Sequence, residues 1–567
     1  MARIGRVGLG AAVAFAVVAG TSIVAGPARA DDPPAQFAVA GAGYGHGVGM
    51  SQWGAYGMAK AGFDPVAIVT RYYSGTTVAP VQDDMDIRVS LLHEVPGVKF
   101  KSEPLDPTGG AIEVTVNGNV TVGSPADEFR LNPNGPAINV QRVMPGGPVD
   151  LGTAPSVTVR WAGTRTPGTA AGGPTVLNLA GINGSLSSAG HRYRYGYLEV
   201  LPVSTPTGVE LTAVNSLRLH DEYLYGISEV SSAWPMAAMQ AQVLAARTYA
   251  ISKVLRGVRT ACACHLDDGG GPFFDQTFTG FAKASAPKGD QWIAAVNGTA
   301  ASETTGQAIL YGGTPISAFY NASSGGITQS SKEVWGKDLP YAQAVADPYM
   351  QVPENSVRAW SVAVPQARMA SAFGIPAVAK VVVAERFPSG APKTIVATTP
   401  DGATVTRSGG ALQSSLALKS SYITTIDGNI GVPLPAVDPA TAPGAPAPAA
   451  PADPSAVPAD PNAAPADGAS VDVQQRTVSL LTPTTITAGK KKYKVAGVVR
   501  PSKAGLKVWR QMLVKKKWQT VEKTVTNAKG HYRFQVTAKS SPPGTYRVLV
   551  VKKRAVVGVS PEYTVTR

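Results

Sequence analysis

From Pro433 to Gly468 the chain reads PLPAVDPATAPGAPAPAAPADPSAVPADPNAAPADG. Proline locks φ and donates no backbone hydrogen bond, and alanine offers little surface to bury. Such a stretch favours extended, polyproline-like conformations over a packed core. It therefore divides the 567 residues into a main body over 31–432, a linker over 433–475 and a second unit over 476–567. Each unit must bury a core of its own, and the main body is long enough for a large one.

Residues 1–30 lie outside this scheme. Arg3 and Arg6 precede a nearly unbroken apolar run from Gly8 to Gly26, and Ala28-Arg29-Ala30 follows. A positive start, an apolar middle and a small-x-small end form a secretory signal peptide, so the mature protein is expected to begin near Asp31 and to work outside the membrane. An uncleaved anchor is the competing reading. Cys262 and Cys264 are the chain's two cysteines, which excludes a framework of several disulfides.

The second unit alternates short β-branched and aromatic runs, such as YKVAGVVRP and TYRVLVVKK, with the turns Asn527–Gly530 and Pro542–Gly544. That spacing predicts a small all-β sandwich. It holds 21 Lys/Arg against 2 Asp/Glu, so the net +14 of the whole chain belongs to this tail and the remainder is mildly acidic. A basic exported module is expected to meet anionic wall polymers or lipid headgroups, and export argues against nucleic acid.

The main body mixes both periodicities, which predicts an α+β fold. Ser51 can cap a helix over Gln52–Lys60, and Asp64-Pro65 starts another that stops before Gly75. The strongest helix runs from Trp234 to Gly257, with Met236, Met239, Val243, Ala246, Ala250 and Val254 as an apolar stripe. A further helix is expected over Asp290–Ala301, and 77–209 reads as β-rich.

Four stretches offer chemistry. In GYGHGVGMSQWGAYGMA (Gly43–Ala59) His46 and Gln52 sit in a glycine-dense turn. In DEYLYGISEVSSAWP (Asp221–Pro235) Glu229 stands among Tyr223, Tyr225 and Trp234. Aromatic desolvation raises a carboxyl pKa toward that of a general acid, whereas the start of the following helix opposes the rise. AFYNASSGGITQSSKEVWG (Ala318–Gly336) ends a strand in a Ser/Gly loop without the Gly-Lys-Ser/Thr of a phosphate loop. CACH (Cys262–His265) groups three soft ligands. Its spacing is tight for a tetrahedral zinc site and poor for an unstrained disulfide, so oxidised or free thiols are expected and zinc is the lesser reading.

Taken together, GYGHGVGMSQWGAYGMAKAG, EYLYGISEVSSAWP, QAQVLAARTYA, AFYNASSGG and VWG resemble the SpoIID/LytB family (stage II sporulation protein D and amidase enhancer LytB) over most of 37–350. The resemblance implies an exported peptidoglycan-acting domain, with lytic transglycosylases and amidase enhancers as the two kinds of member. It implies Glu229 as the catalytic residue and glycan strands as substrate; some members bind zinc through cysteine and histidine, but CACH lacks their wider spacing, so no cofactor is carried over. Substrate contacts are implied for His46, Gln52, Gln240, Arg247, Tyr249, Asn321, Ser323, Ser324 and Gly325, with Gln242 on the same helix. Three features depart from the family pattern: the glycine-histidine turn opens the domain instead of closing it, Ser231 replaces a common proline, and Asn321 stands where histidine is common.

The leading expectation is therefore a lytic transglycosylase that cleaves MurNAc-GlcNAc strands with Glu229 as sole acid and base and leaves 1,6-anhydro ends. A non-catalytic wall-binding protein that enhances a cell-wall amidase is the alternative. A hydrolase with Asp275 as second carboxylate is the third reading.

Overall fold

The computed structural model describes residues 33–434 except 164–169, 171 and 187–190, together with the strands and some turn residues between 477 and 566. The expected leader and the linker from 435 onward lie outside the described residues. The chain divides into two units, Met1–Ala452 and Asp453–Arg567.

In the second unit a three-stranded sheet orders Thr477–Leu480, Tyr493–Arg500 and His531–Val536, and a six-stranded sheet is built around Gly544–Lys552 and Lys507–Val514. Val495, Val499, Val508, Phe534, Tyr546 and Val548 form its core. Arg510 is buried there, stacked over Tyr546 and paired with Glu522 at 3.1 Å.

The first unit is mixed α+β. Two antiparallel-rich sheets share one core. The seven-stranded sheet places Gly208–Arg218 between Asp86–Val95 and Tyr197–Thr205, and the six-stranded sheet is centred on Glu128–Asn134 and Val98–Pro104. Alternation sets the faces: Ile112, Val114 and Val116 point inward with Val157, Val159 and Trp161, and Phe100 stacks on Phe129 at 5.3 Å.

Five helices frame the region of interest: α1 (Gln52–Lys60), α2 (Pro65–Tyr72), α3 (Met236–Val254), α4 (Phe281–Ser285) and α5 (Gly289–Asn297). The expected caps form. Ser51 Oγ accepts from the Gly54 N–H at 3.1 Å, and Asp64 accepts from Val66 and Ala67. The long helix is buried on more than the expected stripe. Met239, Val243, Ala246 and Ala250 enter the sheet core, while Ala241, Leu244 and Ala245 pack with Met58, Ile68 and Tyr72 in a second core. Its many alanines permit this close packing on two sides. Met236, expected within the stripe, is exposed at the helix start.

A third core forms around the N-terminal strand Gln36–Gly41, which lies between Trp360–Pro365 and Ile423–Ile426. This strand delivers the glycine-rich turn to the 319–329 segment. Met50–Ser51 then pairs in parallel with Tyr320–Asn321. The approach requires glycine. A Cβ on Gly49 (φ +73°) would lie 2.0 Å from the Phe319 carbonyl oxygen, and one on Gly43 (φ +82°) 2.6 Å from that of Ser323. Gly62 also has positive φ (+88°) but faces open space. Gly49→Ala is therefore expected to cost about 2 kcal/mol or more, and Gly62→Ala about 1 kcal/mol, the strain alone. Urea unfolding of the two variants beside the parent separates clash from strain.

Candidate active site

The Glu229 segment is a tight connection between the turn after Gly208–Arg218 and α3. Residues 226–229 run beside 277–279: the Ser228 N–H donates to the Thr277 carbonyl at 2.8 Å and the Thr279 N–H to the Gly226 carbonyl at 2.9 Å. This fixes the backbone leading into Glu229 and aims the Thr277 N–H at its carboxylate, 2.7 Å from Oε1. The Tyr320 hydroxyl donates to the same oxygen at 3.1 Å. Tyr320 Oη accepts from Gln276 Nε2 at 2.8 Å, and Gln276 Oε1 accepts from the buried Tyr223 hydroxyl at 2.8 Å. Gln52 also bonds the Glu229 side chain, and its Nε2 donates to Gln242 Oε1 at 3.3 Å.

Burial raises the Glu229 pKa above its ordinary value, while the hydrogen bonds from Thr277, Tyr320 and Gln52 favour the carboxylate and moderate the rise. Part of the residue remains open to solvent. A carboxyl that holds its proton longer than usual, yet has fixed donors waiting for its anion, is equipped both to give and to take back a proton.

Asp275, the other carboxylate considered, has the opposite setting. Burial alone would push its pKa up, but Lys253 at 2.5 Å and Arg259 outweigh this and hold it below the usual range. Its Oδ1 also accepts from the Tyr249 hydroxyl at 2.9 Å. A buried carboxylate engaged by two cations is a poor base, which counts against the two-carboxylate hydrolase.

Aromatic rings border the site. Trp53, Tyr56 and Trp234 meet with centroids 5.0–5.2 Å apart and stay partly open. His46 stands 5.3 Å from Trp335 and 6.4 Å from Phe319, which is 6.1 Å from Tyr249. His46 Nδ1 accepts from the Val48 N–H at 3.0 Å, and burial lowers its pKa to about 4, so the ring is neutral at pH 7.

Other expected contacts lie elsewhere. Arg247 is wholly buried, paired with Asp83 at 2.9 Å and donating to Thr299 Oγ1 at 2.8 Å; Asp83 in turn meets His220 at 2.6 Å. It ties α3 to the strands around it and does not face the Glu229 carboxyl. Gln240 packs toward Gly298 after α5. Asn321 is buried, with Nδ2 donating to the Val48 and Met50 carbonyls.

The Ser323–Gly326 loop, expected to line the cleft, is an internal brace. Ser324 Oγ donates to buried Asp347 at 2.7 Å, as does the Tyr72 hydroxyl, and Asn355 donates to Ser323 Oγ at 3.0 Å. Gly325 lies under the Tyr422 ring, where a Cβ would come within 2.1 Å. These serines are satisfied inside the protein because the loop must bind the glycine-rich turn from behind.

Cys262 and Cys264 form a disulfide, with Cα atoms 5.1 Å apart, which corrects the expectation of poor placement. Ala263 between them has φ +50°, and this left-handed residue turns the two cysteines toward each other. The bond removes both sulfurs from the CACH ligand set. His265 Nδ1 accepts from the Arg88 N–H at 3.0 Å, and among the described residues no His/Cys/Asp/Glu group could hold a metal ion.

Sequence reasoning missed Tyr320, Gln276 and Thr277. Tyr320 sits in the motif AFYNASSGG, and Gln276 and Thr277 directly follow Asp275, but only the tertiary pairing turns them toward Glu229.

Residues 207–311, which include Glu229, α3 and Thr277, match the family model described as SpoIID, stage II sporulation protein. The chain carries a domain of the SpoIID/LytB family. A Bacillus subtilis protein named amidase enhancer is 32% identical over 120 residues, 21% of this chain and 14% of that relative. An uncharacterized Brachyspira hyodysenteriae protein is 29% identical over 153 residues, 27% of this chain and 37% of that one. The chain thus spans well under half the length of either relative. No solved structure matches it. The SpoIID match excludes His46, Gln52 and Tyr320, which the fold adds to the matched segment.

The raised Glu229 pKa has a consequence for stability. Between the ordinary value near 4.5 and the folded value, the native state binds more protons than the unfolded one, so Glu229 loses stability for the fold as pH rises through that window. Glu229→Gln keeps an Oε1 acceptor without the charge. It is expected to be more stable than the parent at pH 7, with the advantage vanishing below pH ~4. Denaturant unfolding of both proteins across pH 3–8 measures this.

Proposed function

We propose that the main body acts on peptidoglycan glycan strands outside the membrane, as a lytic transglycosylase with Glu229 as its single acid and base. The observation that carries this reading is the Glu229 carboxyl, desolvated on one side and held by the Thr277 N–H and the Tyr320 hydroxyl.

Protonated Glu229 gives its proton to the glycosidic oxygen between muramic acid and glucosamine, and the C1–O bond breaks. The carboxylate left behind is stabilised by Thr277 and by Tyr320, which Gln276 backs. It then takes the proton of the muramic acid 6-hydroxyl, whose oxygen closes onto C1 to form the 1,6-anhydro ring. Protons and bonds balance without water or a second carboxylate. The open faces of Trp53, Tyr56 and Trp234 suit the apolar faces of sugar rings, and neutral His46 and Gln52 offer polar contacts along the strand. Ser323, Ser324, Gly325, Asn321 and Arg247 serve this site as scaffold.

The relative's printed name, amidase enhancer, supports a second reading: the same groove binds glycan and promotes a cell-wall amidase without cleaving. Purified chain incubated with sacculi separates the two. Anhydromuropeptides seen by mass spectrometry without an amidase support the transglycosylase, and Glu229→Gln is expected to lower their release ~10³-fold or more while leaving wall binding intact. Products only in an amidase's presence support the enhancer, and reducing ends refute both.

The basic tail is proposed to hold the enzyme on anionic wall polymers. A chain ending at residue 434 is expected to lose most of its retention on sacculi at low salt, and the full chain to lose the same share as NaCl is raised to ~0.5 M. Salt-independent pull-down would count against the electrostatic anchor.

A further inference from the structure

Next to the Glu229 backbone lies a pocket of about 410 Å³, open to solvent and lined by Ser228, Ser231 and Ser232 from one segment and by Thr279 and Lys283 from another. Lys283 is the unusual member. It projects from α4, is 5% exposed, donates to the Val230 carbonyl at 2.6 Å and stands 4.6 Å from the Trp292 ring centroid. Among the described residues no carboxylate pairs with it. Burial without a counter-ion lowers its pKa to about 8, so it is still mainly protonated at pH 7.

Burying an ammonium away from any anion is costly, and one carbonyl and one ring face leave donor capacity unused. The hydroxyls of Ser228, Ser232 and Thr279 make no hydrogen bond within the described residues either. One cation ringed by hydroxyls, without an arginine fork, suits a singly charged oxyanion. Ser228 and Val230, which line the pocket, flank Glu229 in sequence, so the pocket adjoins the backbone that carries the proposed acid.

We propose that the pocket between 228–232 and 279–287 binds a carboxylate of the glycan strand, with Lys283 as its counter-ion. This rests on the glycan reading above. Two sources carry that chemistry: the lactyl carboxylate of a muramic acid stripped of peptide, and the carboxylates of an attached stem peptide, in which the lactyl group is already an amide.

The test measures binding, not turnover, so it does not depend on cleavage. The full-length Glu229→Gln chain, alone and combined with Lys283→Gln or Lys283→Arg, is titrated with five probes. These are denuded strands, peptide-bearing strands, carbodiimide-amidated versions of both, and an uncharged N-acetylglucosamine oligomer. Glu229→Gln is expected to bind one carboxylate-bearing strand about tenfold or more tighter than its amidated form. In ~0.5 M NaCl, where the exposed charge of the basic tail is screened, Lys283→Gln should abolish that preference, Lys283→Arg should keep part of it, and all should bind the uncharged oligomer equally. A preference confined to denuded strands assigns the lactyl group, and one confined to peptide-bearing strands assigns the stem. Equal affinity for intact and amidated strands in Glu229→Gln overturns the pocket alone, even if Lys283→Gln does not fold. Failure to bind any glycan overturns the glycan reading and the pocket with it.

Discussion

The parallel pairing of Met50–Ser51 with Tyr320–Asn321 is the constraint on which the site depends. It joins segments some 270 residues apart, and with one register it sets two donors. Tyr320 is turned to the Glu229 carboxyl, and Gln52, the next residue after the pair, starts α1 beside it. The pairing is reinforced from behind. Ser51 Oγ both caps α1 and accepts from the Ser324 N–H at 3.3 Å, while Asp347 takes hydrogen bonds from Ser324 and Tyr72. Buried polar groups that are mutually satisfied in this way specify one arrangement.

The two carboxylates near α3 show how environment divides roles. Asp275 is clamped between Lys253 and Arg259 and also accepts the Asp267 N–H at 3.1 Å, so it is a fixed negative post that orders Tyr249 and the 259–267 turn. Among the described residues Glu229 has neutral donors around its oxygen, so desolvation dominates and its pKa stays above the ordinary value. The difference is one of counter-charge: full positive charges offset burial, whereas neutral hydrogen bonds offset it only in part.

Much of the local structure was legible. Ser51, Asp64 and Pro65 announce helix starts, the Glu229 and α3 motifs announce the family, and alternating Val and Ile announce the sheets. The errors have a common cause. Ser323, Ser324, Asn321 and Arg247 carry polar groups that suit a ligand equally well as a neighbour, and only packing decides which they meet. In this fold they meet Asp347, Asn355, two backbone carbonyls and Asp83. The disulfide was misjudged because its closure depends on the left-handed turn at Ala263, and alanine gives no sign of that conformation.

By itself the sequence determined the concentration of positive charge in the tail, the starts of α1 and α2 and the presence of α3. These follow from composition, short-range capping and periodicity, all local properties. Tertiary structure alone decided which partners Glu229 has, that the Ser-Ser-Gly-Gly loop supports the site instead of lining it, and that Lys283 is buried beside it with no carboxylate partner among the described residues. A carboxyl's proton affinity and an ammonium's need for a counter-ion depend on what lies within a few ångströms, and in a chain with this topology those neighbours come from segments far apart in sequence.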